Sequence, residues 1–255
     1  MPRIVSIITA VHAPSGHYLP EAYKSLLDQE MPPGWDWQWV IQEDGETRHV
    51  ADTVPDDPRI SFDQGRHGGP GVARTLALAR AKGTYLKVLD SDDLLLPGAL
   101  AREIGILDSR PDIGWTTCRA LDLLPDGSTV GFDADPPAGP LERGSVLEHW
   151  KANNYRLPVI PGSLCARREL VLALGGWMAL PASEDTGLVL ALSAVSRGWF
   201  IGETGLYYRK WPGQVTGQEA HNEAGERAAR MGVAEARARI LASSVFAHWR
   251  YPHNS

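Results

Sequence analysis

Residues 85–100 read "YLKVLDSDDLLLPGAL". A strand-length, mostly apolar run delivers Asp90, Asp92 and Asp93, three carboxylates within four positions, and a second apolar run follows at once. Charges this close repel one another, so the turn needs a compensating partner. Three physical roles suit it. The carboxylates can hold a hard divalent cation, which takes anionic oxygen ligands and commonly carries substrate phosphates as well. Ser91, Asp92 or Asp93 can instead cap a helix expected to start near Pro97. Or the segment is a solvated turn. No run of Lys or Arg lies nearby. That favours the cation, because carboxylates tethered to an apolar strand end are costly when uncompensated.

Working outward, strand and helix signals alternate. "RIVSIITAV" (3–11) is a β-branched run of the kind buried on both faces of a parallel sheet. In "YLPEAYKSLLDQE", Leu19, Ala22, Tyr23, Leu26 and Leu27 fall on one helical stripe. "DWQWVIQEDGE" is a second strand that stops at Asp44-Gly45, and "RISFDQG" a third. "GGPGVARTLALARAKG" reads as a helix ending at Gly83, and "TYLKVLD" is the fourth strand. This βαβ alternation predicts an α/β fold, a mostly parallel sheet flanked by helices with a Rossmann-like first half. We divide the chain into a first half (1–110), a second half of the same domain (111–216) and a helical tail (217–255). The tail has a weak apolar face that includes Met231, Ile240, Leu241, Val245 and Phe246.

In open parallel sheets, ligands bind outside the carboxyl ends of the strands. Asp90 and Asp92 fall at that edge, as do Asp44 after the second strand and Thr9, Val11 and His12 at the end of the first. Three polar stretches therefore converge on one crevice.

Composition bounds the function. With 255 residues, 43% of them hydrophobic, and a formal charge of −6, the chain is an ordinary globular protein ill suited to nucleic acid or anionic lipid. No stretch approaches the roughly 20 apolar residues of a membrane helix. The N-terminal run reads as a buried strand rather than a signal peptide, and we expect a cytoplasmic protein. Cys118 and Cys165 are expected to be reduced thiols.

The stretches "ITAVH", "IQEDGE", "GGPGVARTLALARAKGTYLKVLDSDDLLLPGAL", "PGSLCARRELVLALGGW", "SEDTGLVLAL" and "YYRKWPGQVT" occur in the order seen in family 2 inverting glycosyltransferases of the GT-A fold. The resemblance spans residues 3 to about 216. It implies a nucleoside-diphosphate sugar donor, a hydroxyl acceptor and Mn²⁺ or Mg²⁺. Thr9, Val11 and Asp44 resemble nucleobase contacts, and a carboxylate there suits the N3–H of uracil or thymine, so UDP or dTDP is favoured. Arg74 resembles a base or phosphate contact, although helical spacing alone would make it a solvent-facing residue. Where the family usually continues with Asn, this chain has Thr75. In the DXD motif Asp90 resembles the residue that touches the ribose or the metal, with Ser91 beside it as a substrate contact, Asp92 resembles the metal ligand across both phosphates, and Asp93 braces or caps the turn.

Inverting transfer also requires a general base for the acceptor hydroxyl. Glu184 and Asp185 are the candidates. Acids favour a first helical turn in any case, and Ser183 is a plausible cap. The resemblance selects Asp185, with Glu184 in reserve, since the family places its base in such a pair after two glycines and an aromatic, here Gly175, Gly176 and Trp177. One departure stands out. Where the family often has a histidine near the domain's end, this chain carries Trp211 after Arg209 and Lys210. Tryptophan cannot ligate a metal, so the aspartates act alone there, or Arg209 and Lys210 help neutralise the diphosphate. Trp35, Trp37 and Trp39 alternate along one strand. Trp150, Trp177, Trp199 and Trp211 fall in the half that would meet acceptor sugars, with core packing the competing reading for each.

Two other functions compete. A nucleotidyltransferase would need a basic, Gly-rich loop after the first strand, and "TAVHAPSGHYLP" has neither Lys nor Arg. A non-catalytic sugar- or nucleotide-binding module would be expected to lose its acidic motifs, and both are present.

Overall fold

The computed structural model describes residues 2–47, 49–214 and 224–243. Strand β1 (Arg3–Val11) lies at the centre of a sheet whose first four members run in the order β3-β2-β1-β4. Strands β2 (Trp35–Asp44), β3 (Ile60–Gly65) and β4 (Tyr85–Val88) are all parallel to their neighbours in this block. Helices α1 (Leu19–Leu27) and α2 (Pro70–Ala77) form crossovers, with a 3-10 helix (Ala13–Tyr18) leading into α1. β1 serves both faces by simple alternation. Val5, Ile7 and Val11 join one core cluster and Ile8 the other.

The sheet continues with β9 (Cys165–Arg167), β6 (Ile113–Leu123), β10 (Arg197–Arg209) and the two-residue β5 (Leu94–Leu95). It is parallel through its first four strands and mixed beyond them. β9 is antiparallel to both β4 and β6, whereas β6 and β10 are parallel. A three-residue strand entered from a tight turn can run either way, so the crossover rule does not bind it. Two short strands, β7 (Thr129–Gly131) and β8 (Gly139–Leu141), pair antiparallel with β6 and β10.

Helices α3 (Ala99–Ser109), α4 (Ser145–Ala152), α5 (Arg168–Ala173), α6 (Glu184–Val195) and α7 (Ala224–Ala242) complete the chain. α6 is buried on every side, including Leu188, Val189, Leu190 and Leu192, because elements cover it all round. α7 packs on it through Met231, Ala234 and Ala238. Ile240 is exposed, Leu241 partly buried, and Val245 and Phe246 lie outside the described residues.

Some local expectations change. α2 stops at Ala77 rather than Gly83, and the next residues tighten into i→i+3 turns from Leu78 to Ala81. α3 starts at Ala99 with Gly98 at its N-cap in the left-handed region (φ 73°) and no side-chain cap. Ser91, Asp92 and Asp93 are therefore not its caps; β5 lies between. Trp35, Trp37 and Trp39 are core residues, with Tyr23 stacked on Trp39. Cys118 and Cys165 are buried free thiols. In mid-β4, Lys87 is fully buried. Its ammonium donates to Glu103 Oε1 of α3 and to the Ser163 carbonyl at 2.7 Å.

Candidate active site

β4 ends one residue before Leu89, and the turn that follows carries the three aspartates. Each is held by one oxygen. Asp90 Oδ1 accepts from Arg74 Nη2 at 2.6 Å, Asp92 Oδ2 from Trp211 Nε1 at 2.6 Å, and Asp93 Oδ1 from the Arg209 backbone N–H at 2.9 Å. The other oxygen of Asp93 is buried and has no partner. It faces the same gap as Asp90 Oδ2, for a Cβ on Gly162 would stand 3.6 Å from Asp90 Oδ2 and 3.7 Å from Asp93 Oδ2. Desolvation, then the neighbouring carboxylates, pushes Asp93 well above the ordinary carboxylate range, and Asp92 is raised for the same reasons. Asp93 thus ties the turn to the end of β10.

Arg74 is the largest surprise. It is buried rather than solvent-facing, and its guanidinium spans two motifs. Nη1 donates to Glu184 Oε1 at 2.8 Å while Nη2 holds Asp90. Close approach of α2 to α6 makes this possible. A Cβ on Gly71 would stand 2.6 Å from Glu184 Cγ and 2.6 Å from the Met178 carbonyl oxygen, so only glycine fits. Beside Glu184, Asp185 is partly exposed, and its Oδ1 accepts from the Thr186 backbone N–H. Desolvation and the charge of Glu184 push its carboxyl up to about 7, against the opposing pull of Arg74. Ser183 does occupy the N-cap of α6, but in the left-handed region (φ 63°) and without a hydroxyl bond to the helix.

Several predicted contacts lie elsewhere. Thr9 is fully buried, its hydroxyl donating to the Leu89 carbonyl and accepting from Trp39 Nε1, so its side chain is engaged within the core. The Val11 side chain is also in the core, which leaves only its main chain at the edge. Trp177 is buried and ties α2 through its backbone to Thr75 Oγ1, so it is no sugar platform. Ser91 is buried and shares a hydrogen bond with Ser15. Asp44 Oδ1 accepts from the Gly68 and Gly69 backbone N–H groups, and Oδ2 lies 2.9 Å from His67 Nδ1, which shapes the loop into α2. The unclaimed acceptor at this edge is its neighbour. Glu43 Oε1 takes the Thr47 hydroxyl, while Glu43 Oε2 is buried without a partner. Sequence reasoning missed Glu43 because the two acids are adjacent and only strand pleat distinguishes them.

Arg209 faces the acidic turn. Nε donates to the Asp92 carbonyl, Nη2 pairs with Glu21, and the guanidinium lies 4.5 Å from the Tyr18 ring centroid. Lys210 instead pairs with Asp122 of β6. Among the described residues, no group of three His, Cys, Asp or Glu side chains is gathered to hold a metal by itself. Two carboxylates still fit Mg²⁺ or Mn²⁺, since such ions are commonly bound by one or two carboxylates plus substrate phosphates. The oxygens turned toward one gap, Asp90 Oδ2 and Asp93 Oδ2, are of the right chemistry, and Asp92 keeps a second oxygen besides the one that Trp211 holds.

A family model described as glycosyl transferase family 2 matches residues 6–124, a span that includes β1, Asp44, Arg74 and the acidic turn. Over that span, just under half of its length, the chain is similar to that family. An uncharacterized glycosyltransferase of Methanocaldococcus jannaschii is 28% identical over 163 residues, 62% of this chain and 49% of that protein. The chain thus spans about half the length of that relative. Among solved structures, residues 1–349 of S. aureus TarS in complex with UDP align with a TM-score of 0.68 at 17% identity, over 96% of this chain and 67% of that one. The same TarS segment in complex with UDP-GlcNAc aligns with a TM-score of 0.64 at 16% identity, over 83% and 60% respectively. At these identities the likeness speaks for the fold, and the chain has the GT-A architecture expected of it. No helix among its described residues is long and apolar enough to cross a membrane.

Proposed function

We propose that this glycosyltransferase transfers a sugar from a nucleoside-diphosphate donor, UDP-linked in preference, to a hydroxyl acceptor with inversion at the anomeric carbon. The observation that carries this reading is the continuous charged chain from Asp90 through Arg74 to Glu184, with Asp185 next to it. It joins a diphosphate-type site to a carboxylate whose affinity for protons suits a general base near neutral pH. In the reaction, Asp185 takes the acceptor's hydroxyl proton as that oxygen bonds to the anomeric carbon. The bond from that carbon to the diphosphate oxygen breaks, and the nucleoside diphosphate leaves with the electron pair. Arg209 lies beside the turn where that charge develops. Asp90 and Asp92 would hold a divalent ion, which supplies electrophilic stabilisation of the leaving diphosphate when bound.

TarS, the structural neighbour, was crystallised with UDP and with UDP-GlcNAc, which supports a uridine donor here. The base-reading role passes from Asp44 to Glu43, whose buried free oxygen can accept an N3–H. The test is a panel of UDP-sugars and dTDP-sugars with simple glycoside acceptors, with Mn²⁺ or EDTA, and NMR assignment of the product's anomeric configuration. An inverted product made only with metal is expected. A retained configuration, or full turnover in excess EDTA, would overturn the corresponding half of the proposal.

A further inference from the structure

Trp150 and Trp177 are core residues and Trp211 is tied to the acidic turn, which leaves Trp199 without a role. Trp199 is half-buried against the core cluster that α3 covers, and it lines an open groove of about 440 Å³ between α3 and β10. The groove exists because β10 loses its neighbour there. β8 pairs with β10 only as far as Phe200 and β5 joins at Leu206, so residues 201–205 have no strand on that side. Two glycines keep the walls bare. Gly105 sits within α3, where glycine weakens a helix relative to alanine, yet a Cβ there would meet nothing within 4 Å. Gly139, on the β8 side, is equally open. Packing within the chain therefore does not call for glycine at 105, whereas a ligand that approaches the backbone would. The polar groups are two arginines and one acid. Arg110 lays its guanidinium on the Trp199 ring, 4.3 Å from the centroid. Stacking occupies the face of a guanidinium and leaves its in-plane N–H donors available, and among the described residues those of Arg110 meet no acceptor. Arg102 reaches only main-chain carbonyls, Pro97 at 3.3 Å and Thr204 at 3.2 Å. Glu203 is exposed on the lining.

We propose that this groove is a second saccharide site, which takes an oligosaccharide bearing carboxylate groups and anchors the acceptor chain away from the reaction. The parts are complementary to such a chain. An indole packs against the C–H face of a sugar ring, the planar fork of Arg110 matches a carboxylate through two N–H groups, and Glu203 accepts from hydroxyls. Two arginines without carboxylate partners, in a chain of formal charge −6, favour an acidic sugar over a neutral one. A peptide strand added to β10 would need its free main-chain groups, and Arg102 already takes the Thr204 carbonyl. A membrane surface would be met by a protruding apolar face rather than a trough. Glu203 and Arg209 share β10, roughly 20 Å apart along the strand, so one long acceptor chain held here raises its own effective concentration at the acidic turn. This inference deepens, and rests on, the glycan-acceptor reading proposed above.

The experiment measures binding of a galacturonate hexamer and of neutral maltohexaose to the full chain by calorimetry, with UDP binding read on the same samples. The wild type is expected to hold the acidic hexamer at least about tenfold tighter than the neutral one, the worth of one charge-assisted hydrogen bond, and to lose that preference in high salt. Gly105→Leu projects a side chain into open space, so hexamer binding should be lost while the thermal midpoint does not fall, leucine being the better helix former. Arg110→Gln should bring the two hexamers to within about threefold of each other. UDP binding should be unchanged in both variants. For a glycoside that the enzyme turns over, longer acidic oligomers should show a lower KM than the monomer in the wild type and not in Gly105→Leu, at unchanged kcat. Equal KM for monomer and oligomers in the wild type would overturn the anchoring. No preference for the acidic hexamer, hexamer binding that survives Gly105→Leu, or phosphatidylglycerol vesicles bound through Gly105 in place of the saccharides would overturn the site. Failure of the wild type to bind UDP would instead overturn the function proposed above, and the hexamers would still decide the groove.

Discussion

Lys87 in β4 and Asp90 just beyond it stand three positions apart, and each is paired with a buried partner of opposite charge. The pairs are opposites. Lys87 and Glu103 form a closed unit, wholly buried, one cation matched with one anion and backed by the Ser163 carbonyl. Arg74 is buried too, but it serves Asp90 and Glu184 together, while Asp92, Asp93 and Asp185 crowd the same crevice with Arg209 as the other nearby cation. Charge is balanced in the first region and left in deficit in the second. Balance belongs to architecture, since an isolated pair can be swapped for apolar residues at little cost. A surplus of carboxylates around one crevice is an unfinished site, complete only with a cationic or proton-bearing partner.

Four measurements can break or sharpen that contrast. The largest effect is expected at the open site. Asp185→Asn removes the proton acceptor and keeps the shape, so kcat should drop about 10²- to 10⁴-fold with donor affinity nearly unchanged. Unimpaired turnover would mean that the acidic pair is only a charged helix start. At the closed pair the loss should appear in stability instead. Lys87→Met strands the buried Glu103 carboxylate and should cost about 3 kcal/mol or more in urea unfolding. The double variant Lys87→Met, Glu103→Leu should recover most of it, with KM unchanged throughout. If KM moves, the closed pair is part of the site and the contrast fails.

Smaller still is the effect at the base edge. Glu43→Gln replaces a pure acceptor with a mixed group, and the preference for UDP over CDP, expected at about 1–3 kcal/mol, should shrink. Competition binding of the two nucleotides reads this directly; an unchanged preference returns the role to Asp44. The smallest effect is a shift in pH dependence. Asp185 acts deprotonated and its carboxyl sits at about 7, so kcat/KM should rise through that pH and level off above it. Removing the neighbouring negative charge favours the ionised form. In Glu184→Gln the acidic limb should therefore move to lower pH, by up to about one unit. A limb that stays put would show that the two carboxylates do not sense one another.

The sequence disclosed whatever has a local cause. β-Branched runs marked β1 and β4, the stripe through Leu19 and Leu26 marked α1, and the crowding of Asp90, Asp92 and Asp93 announced a site because repulsion needs compensation. What stayed hidden depends on distant partners. Arg74 reads as an exposed helical residue until Asp90 and Glu184, the latter 110 positions away, are brought to it. Trp211 reads as a missing ligand until it is seen to donate to a residue 119 positions away. The placement of the Thr9 and Glu43 side chains is hidden for a subtler reason. Adjacent strand residues point to opposite sides, and which side meets the crevice is settled by the packing of the whole sheet.

Gly71 gives the last lesson. Because α2 and α6 meet there with no room for a methyl group, the spacing between the donor-side arginine and the helix that carries Asp185 is gauged by solid contact, not by the reach of loops. The two halves of the crevice therefore behave as jaws of a fixed caliper. On the mechanism proposed above, the distance between leaving group and proton acceptor is then set by that contact. Even one added carbon at position 71 would reset that distance.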